Sequence, residues 1–146
     1  MKKLLAITLA LVMVLTLCAC GTINDSAVAV LWSGDNDKAL VPNSLLNAMD
    51  RAMYIENIAY AHYAAKGDQS VQLQQIADAM HDGCAGLLVE LVDPAAAQQI
   101  VDHAKEHGLP VVFFNCTVEE AVVASYDKCA VVTTDEATLA ATYGEM

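Results

Sequence analysis

Basic residues are scarce in this sequence. Only 7 of its 146 residues are Lys or Arg, whereas 18 are Asp or Glu, and the net charge is −11. Proteins hold the phosphate backbone of nucleic acid with clustered Lys and Arg, and the sequence contains no such cluster. The composition therefore argues against nucleic acid as a partner.

The sequence also lacks a glycine-rich phosphate loop. Its glycines never fall into the GxGxxG or GxxxxGK spacing that allows backbone N–H groups to surround a phosphate. Nucleotide binding is therefore not indicated, and no cofactor is expected.

The longest apolar run lies at the amino terminus and predicts export. Two lysines precede fourteen largely apolar residues, 4–17, which is the length of a signal peptide and short for a membrane span. The sequence Leu17-Cys18-Ala19-Cys20 resembles the lipobox of bacterial lipoproteins, which implies lipidation of Cys20; an ordinary secretory signal is the alternative. Residues 1–19 are thus expected to form a lipoprotein signal peptide. Residues 20–26 would supply the lipidated cysteine and a short linker, so that the protein is anchored to the membrane outside the cytoplasm.

Hydrophobic periodicity predicts strands that alternate with helices. The strands are expected near residues 27–32, 57–63, 85–92 and 110–114, with a weaker one near 130–133, and the helices near 44–54, 69–80, 94–107 and 133–146. The second helix is predicted to bury Leu73, Ile76, Ala77 and Met80, and the third Ala97, Ile100, Val101 and Ala104. Apolar, β-branched strands without strict alternation indicate a sheet that is covered on both faces. Residues 27–146 are therefore expected to form an α/β domain, a three-layer α/β/α sandwich with a mainly parallel, doubly wound sheet in the flavodoxin-like order 2-1-3-4-5.

Catalytic motifs are few. Residues 103–107 match the HxxEH pattern of inverted zinc peptidases, but they fall in the last turn of a predicted helix, away from the edge of the sheet where ligands bind. Ser33 is not in a GxSxG motif, and Cys116 has no adjacent His or Lys that would lower its pKa. Asp35 and Asp37 could suit a phosphate-accepting receiver domain, but an exported protein has no ATP-fed phosphodonor. Neither an enzyme nor a metal site is expected.

Polar residues follow several of the predicted strands. Residues 32–38 follow the first strand, Asp68 precedes the second helix, Glu90 and Asp93 lie near the end of the third strand, and Asn115 follows the fourth. Ligands of open parallel sheets bind where the strands end. Carboxylates and amides are suited to neutral hydroxyl groups, so these residues favour a sugar. The alternative interpretation is that Asp93 is a helix cap, residues 35–37 a turn and Asn115 a strand terminator.

Four blocks of sequence resemble the galactose/glucose-binding proteins of bacterial ABC transporters. They are residues 68–76, residues 91–97 (LVDPAAA), residues 110–115 (PVVFFN) and residues 125–128 (SYDK). The resemblance implies the amino-terminal lobe of a type I periplasmic binding protein. In that family two lobes close on a monosaccharide such as galactose or glucose and present it to a membrane permease, and in some bacteria to a chemoreceptor. It implies a substrate-binding lipoprotein for sugar import, with five candidate ligand-binding residues, namely Asp35, Asn36, Asp37, Glu90 and Asn115.

Two positions depart from the pattern of that family. The family has an Asn, a sugar ligand, immediately before the Leu-Val-Asp-Pro block, where this chain has Glu90. A carboxylate accepts but does not donate, so either the hydroxyl pairing changes or Glu90 is protonated. The family also has an aromatic residue two positions after a sugar-binding Asp. Asp37 or Lys38 stands there in this chain, and the nearest aromatic side chain is Trp32.

The chain ends inside the last predicted helix, so the second lobe of the family is expected to be missing. A single lobe leaves one face of a ligand in water and cannot close around it. The alternative function is therefore a truncated or degenerate lobe without a high-affinity ligand, structural or non-functional.

Overall fold

The computed structural model of this protein describes residues 27–34 and 43–133. The predicted signal peptide, Cys20 and the linker lie outside these residues, as do the candidate ligand residues Asp35, Asn36 and Asp37. The helix predicted after Thr133 also lies outside them.

Strands and helices alternate along the described chain. The elements are β1 Val28–Trp32, α1 Asn43–Ile55, β2 Tyr60–Ala64, α2 Gln69–His81, β3 Gly86–Val89, a 3-10 turn Pro94–Ala96, α3 Ala97–Glu106, β4 Val111–Phe114, α4 Glu120–Ala124 and β5 Cys129–Val132. None of these helices is long and apolar enough to cross a membrane.

The five strands form one parallel sheet in the order β2-β1-β3-β4-β5. The start of β1 pairs on both sides, since Val28 lies opposite Tyr60 of β2 and Gly86 of β3. All the strands therefore end at one edge, which we call the carboxyl edge, and begin at the opposite amino edge. This topology confirms the predicted fold class.

Helices cover both faces of the sheet. On one face, α1 packs Leu45, Leu46 and Met49 against a small cluster that contains Trp32 and Phe114. On the other face, α2 and α3 pack against the larger core, which includes Leu31, Leu87, Val89, Val111 and Phe113. Complete burial of one such aliphatic or aromatic side chain is worth roughly 1.5–3 kcal/mol, so this face contributes most of the stabilisation by burial.

The helix α3 buries the predicted stripe, because Ala97, Ile100, Val101 and Ala104 are all inaccessible. The prediction for α2 was wrong in part. Ala77 is exposed, and the buried stripe of α2 consists of Gln72, Ile76, Ala79 and Met80. A polar residue enters the core here because both its amide nitrogen and its amide oxygen are hydrogen-bonded, as described below.

Several predicted boundaries were also displaced. Strand β2 begins at Tyr60 rather than near residue 57, because Asn57 adopts the left-handed backbone conformation with φ of 53° and makes a turn. The chain after Asp93 makes a single 3-10 turn before α3 begins, and α4 was not predicted. With five residues and no buried side chain, α4 has too little periodicity to be recognised in a sequence.

Candidate functional site

Three polar residues directly follow three neighbouring strands at the carboxyl edge. Ser33 follows β1, Glu90 follows β3, and Asn115 follows β4. Since β3 lies between β1 and β4, Glu90 stands between the other two residues. We call these three residues the strand-end cluster.

Hydrogen bonds to Glu90 hold the strand-end cluster together. One carboxyl oxygen, Oε1, accepts from Nδ2 of Asn115 at 2.6 Å. The other, Oε2, accepts from the Ser33 hydroxyl at 2.8 Å and from the Ser33 backbone N–H at 3.1 Å. Only 5% of Glu90 is exposed, so its carboxyl oxygens are bonded to these three donors and are almost inaccessible to a ligand.

The backbone of Glu90 is held equally firmly. Its N–H donates to the carbonyl of Leu31, and its carbonyl accepts from Nε2 of Gln72, both at 2.8 Å. The other end of the Gln72 amide accepts from the N–H of Val92 at 3.2 Å. Gln72 is completely buried, and it therefore ties α2 to the chain that leaves β3.

Asn115 is the exposed member of the strand-end cluster. Its backbone has φ of 52°, in the left-handed region that Asn tolerates better than most other non-glycine residues. Because Nδ2 points at Glu90, the carbonyl oxygen Oδ1 is the end of the amide that no hydrogen bond within the described residues uses. Asn115 therefore presents an acceptor at the surface.

A cavity of about 240 Å³ borders Asn115 and has mostly apolar walls. Its lining residues are Leu45, Phe114, Asn115, Val132 and Thr133. A ligand there would find one amide and one hydroxyl beside aliphatic and aromatic carbon. This combination suits a molecule with hydroxyl groups on one side and C–H groups on the other.

The structure brings together two of the five predicted ligand residues, Glu90 and Asn115. The other three, at positions 35–37, lie outside the described residues. Ser33 lies within residues 32–38, which were predicted to lie at this edge, but it was not among the five candidate ligand residues, and Gln72 was not predicted to contribute to the edge. Ser33 shares with Glu90 and Asn115 its place immediately after a strand, and Gln72 lies on one helical stripe with Ile76 and Ala79, so both carried a signal in the sequence.

Asp68 and Asp93, which also lie at the carboxyl edge, act as helix caps. Asp93 accepts from the N–H of Ala95 at 2.9 Å. Asp68 accepts from the Ser70 hydroxyl and from the N–H groups of Ser70 and Val71, and these bonds lower the pKa of its carboxyl group, the Ser70 hydroxyl most strongly. In each of these two carboxylates the oxygen Oδ1 is thus already used within the chain.

Trp32 cannot serve as the missing aromatic surface for a sugar. Only 1% of it is exposed, its ring packs edge to face on Phe114, and its Nε1 donates to Nδ1 of His62 at 2.9 Å. The other nitrogen of His62 lies 3.2 Å from Asp50. Trp32 therefore connects β1 to β2 and α1 inside the lobe.

The described residues contain little that suits catalysis. Burial raises the pKa of the Cys116 thiol, which makes it a poor nucleophile at neutral pH. His107 of the HxxEH pattern makes a 2.9 Å contact with the carbonyl of His103 in its own helix. Within residues 27–34 and 43–133, no three His, Cys, Asp or Glu side chains are grouped so that they could hold a metal ion.

Comparison with known proteins gives matches in sequence and in fold. A family model described as periplasmic binding protein domain matches residues 43–146. The D-galactose/methyl-galactoside binding periplasmic protein MglB of Haemophilus influenzae is 40% identical over 67 residues, which is 46% of this chain and 20% of that protein.

Solved structures share the fold at low sequence identity. A solute binding protein of an ABC transporter from Clostridium phytofermentans, with bound β-D-glucose, has a TM-score of 0.65 and 18% identity, covering 82% of this chain and 35% of that one. A second, from Bacillus halodurans with bound myo-inositol, has a TM-score of 0.61 and 18% identity, covering 82% and 42%. This chain thus spans less than half the length of each of these three proteins.

Proposed function

Because this chain belongs to the periplasmic binding protein domain family, we propose that it binds a monosaccharide such as galactose or glucose as part of the substrate-binding lipoprotein of an ABC transporter. The relatives support this class of ligand. The similar protein of Haemophilus influenzae is named for galactose, and the similar solved structures hold glucose and myo-inositol, which are all compact polyols.

The strand-end cluster is the observation that carries this proposal. It lies at the carboxyl edge of a parallel sheet, where ligands of such sheets bind. Asn115 offers an oriented acceptor there, and the cavity beside it adds apolar walls from Leu45 and Phe114. A ring hydroxyl would donate to Oδ1 of Asn115 while the C–H side of the ring covers the apolar wall.

Glu90 has a positioning role in this proposal. All three hydrogen bonds of its carboxyl group are made with the chain itself, and the group is almost inaccessible. It determines which end of the Asn115 amide faces the ligand. A Glu at this position was expected either to change how the ligand hydroxyls pair with the protein or to be protonated. We adopt the first of these, with Asn115 rather than Glu90 as the partner of the hydroxyl group.

Export and membrane attachment complete the proposal. The lysines and apolar run of residues 2–17 would direct secretion, and Cys20 would carry the lipid that anchors the protein outside the cytoplasm. The ligand would then pass to a permease in the same membrane. In some bacteria a chemoreceptor would be a further partner.

Calorimetry with a panel of monosaccharides and myo-inositol tests the proposal on the protein as its gene encodes it. We compare Asn115→Gly with Asn57→Gly, because both asparagines have a left-handed backbone that Gly adopts without strain. Asn57 lies at the amino edge and is the matched control. Loss of the proposed hydrogen bond from the ligand to Oδ1, about 1 kcal/mol, would weaken sugar binding by roughly fivefold in Asn115→Gly, with no change in Asn57→Gly. Because Asn115→Gly also removes the bond from Nδ2 to Glu90, urea unfolding of both variants is measured beside the calorimetry.

Two results would contradict the proposal. Equal affinities of the two variants would remove Asn115 from the site. A folded protein that binds none of these polyols would favour the alternative of a lobe without a high-affinity ligand.

A further inference from the structure

The amino edge of the sheet carries an exposed apolar patch. It consists of Tyr54, Ile55 and Ile58, which are 84%, 65% and 39% exposed. These are three of the five large apolar residues that are exposed in the described chain, and they lie within five positions of one another. Single exposed apolar residues are ordinary, whereas grouped ones are typical of surfaces that contact a protein or a membrane.

The backbone holds this patch in a fixed position. The end of α1 and the turn after it are closed by hydrogen bonds from Asn57 N to Tyr54 O at 3.2 Å and from Ile58 N to Met53 O at 2.9 Å. A cavity of about 340 Å³ opens between Tyr54, Ile58 and Tyr60. The patch is therefore a shaped part of the lobe.

The patch adjoins the point where the described chain begins. Val28 of β1 donates to the carbonyl of Ala59 at 2.8 Å and lies opposite Tyr60 in the sheet. The residue that the lipobox resemblance marks for acylation, Cys20, precedes Ala27 by seven positions. Seven residues span about 25 Å at most.

This tether is shorter than the lobe is wide. A domain of about 100 residues has a radius of gyration near 13 Å and is therefore roughly 30 Å across. A lipid on Cys20 would thus keep the amino edge next to the bilayer. The other exposed apolar side chains, Val71 at the start of α2 and Val132 at the end of β5, belong to the carboxyl edge, which would face away.

We propose that Tyr54, Ile55 and Ile58 rest on the surface of the phospholipid bilayer in which Cys20 is anchored. Tyrosine and branched aliphatic side chains suit the boundary between headgroups and acyl chains. Asp50, Arg51 and Glu56 are the charged residues around the patch in sequence, and their sum is negative, which favours a zwitterionic over an anionic surface. The inference rests on the lipid anchor of the proposed function, but it is independent of the identity of the sugar.

Quenching of tryptophan fluorescence by brominated lipid tests this proposal. The protein is expressed with its complete amino terminus, purified from membranes and placed in phosphatidylcholine vesicles with or without bromine on the acyl chains. Its only tryptophan, Trp32, is 1% exposed and supplies a constant background. Tyr54→Trp places a reporter in the patch, and Val71→Trp places a matched reporter on the first turn of α2 at the other edge.

We expect the emission of the reporter at position 54 to fall at least about twofold in brominated vesicles, with a change below about a tenth for the reporter at 71. Adding Ile55→Ser to Tyr54→Trp should reduce the quenching, because it removes a neighbouring apolar contact. Circular dichroism of each variant confirms that it is folded.

Equal quenching at positions 54 and 71, or quenching at neither, would overturn the proposal. Mass spectrometry of the same sample separates the causes. An acylated Cys20 without quenching at 54 refutes the bilayer contact and leaves the anchor intact, whereas an unmodified Cys20 refutes both. Neither result depends on the calorimetry with sugars.

Discussion

Substitution of Glu90 by Gln should weaken the lobe moderately and reverse the Asn115 amide. The three donors that meet at Glu90 are N–H and O–H of Ser33 and Nδ2 of Asn115. Gln has one acceptor oxygen and one donor nitrogen in the same place. Its oxygen can keep both bonds to Ser33 if its nitrogen faces Asn115, and Asn115 must then turn its Oδ1 inward to accept.

The expected cost follows from the loss of charge assistance. A hydrogen bond to a charged group contributes about 1.5–3 kcal/mol, and a neutral one about 1 kcal/mol. All three bonds survive in neutral form, and each loses at least about 0.5 kcal/mol, so we expect Glu90→Gln to lower the free energy of unfolding by about 1.5–2 kcal/mol. Glu90→Ala removes all three bonds and the packing of the side chain, and should cost about 3–5 kcal/mol.

Urea unfolding followed by the fluorescence of the buried Trp32 measures both values. The matched control is Glu106→Gln, the same change at an exposed position in α3, which should stay within about 0.5 kcal/mol of the parent protein. The side-chain amide signals of Asn115 in a nitrogen-15 NMR spectrum report the reversal. Its Nδ2 protons should exchange faster with water in Glu90→Gln, because the reversed amide turns them outward.

Two outcomes would refute this reasoning. Equal costs for Glu90→Gln and Glu90→Ala would mean that the amide cannot replace the carboxyl group by reversal of Asn115. Costs below about 0.5 kcal/mol for both would mean that the three hydrogen bonds contribute no net stability.

Three further predictions concern the surroundings of this edge. Gln72→Leu should lower the free energy of unfolding by about 2–4 kcal/mol in urea, because it leaves the carbonyl of Glu90 and the N–H of Val92 without partners; a cost below about 0.5 kcal/mol would contradict the role of Gln72. The lowered pKa of Asp68 adds stability that is present above pH 3.8 and is lost as the pH falls below that value. The free energy of unfolding of Asp68→Asn should therefore fall less steeply with acid than that of the parent protein. An unchanged pH dependence would refute this link. The side chain of Asp50 is the main cause that raises the pKa of Tyr60, so Asp50→Ala should return that pKa toward 10.0 in a titration by ultraviolet absorbance. No movement of the pKa would refute this assignment of the cause.

The fold could be predicted because local signals agree with one another along the chain. The apolar runs of β3 and β4 enclose a helix that begins after Asp93 and Pro94, and a parallel pair with one crossover helix has a single favoured hand. Boundaries were less predictable. The turn at Asn57 depends on a backbone conformation that several residues can adopt, so the sequence does not fix where β2 begins.

The site could be predicted only as far as positions after strands indicate it. Glu90 and Asn115 were found because each follows an apolar strand. Ser33, which follows β1 and donates to Glu90, is 57 residues away in the chain, and only the register of β1 against β3 places the two residues together. Gln72 was not predicted because its hydrogen-bond partners are also distant in the sequence. A glutamine in a helix is expected to face solvent unless such tertiary partners are known.

Trp32 was considered as a residue of the site, but the structure places it in the core. It was considered as the aromatic surface beside the ligand because it is the nearest ring to the first loop. Its indole N–H instead finds an acceptor on His62, thirty residues later in the neighbouring strand. No local pattern distinguishes a tryptophan that faces a ligand from one that satisfies its polar atom inside the domain.

For the proposed sugar site, the hydrogen bonds around Glu90 have a consequence for the strength of binding. Hydrogen bonds to Glu90 fix the orientation of the Ser33 and Asn115 side chains in the folded protein without a ligand. A ligand therefore does not need to immobilise these side chains on binding, which would otherwise cost about 0.5–1.5 kcal/mol of rotamer entropy for each side chain. The strand-end cluster is preorganised, and the same rigidity should weaken the binding of ligands whose hydroxyl groups are arranged differently.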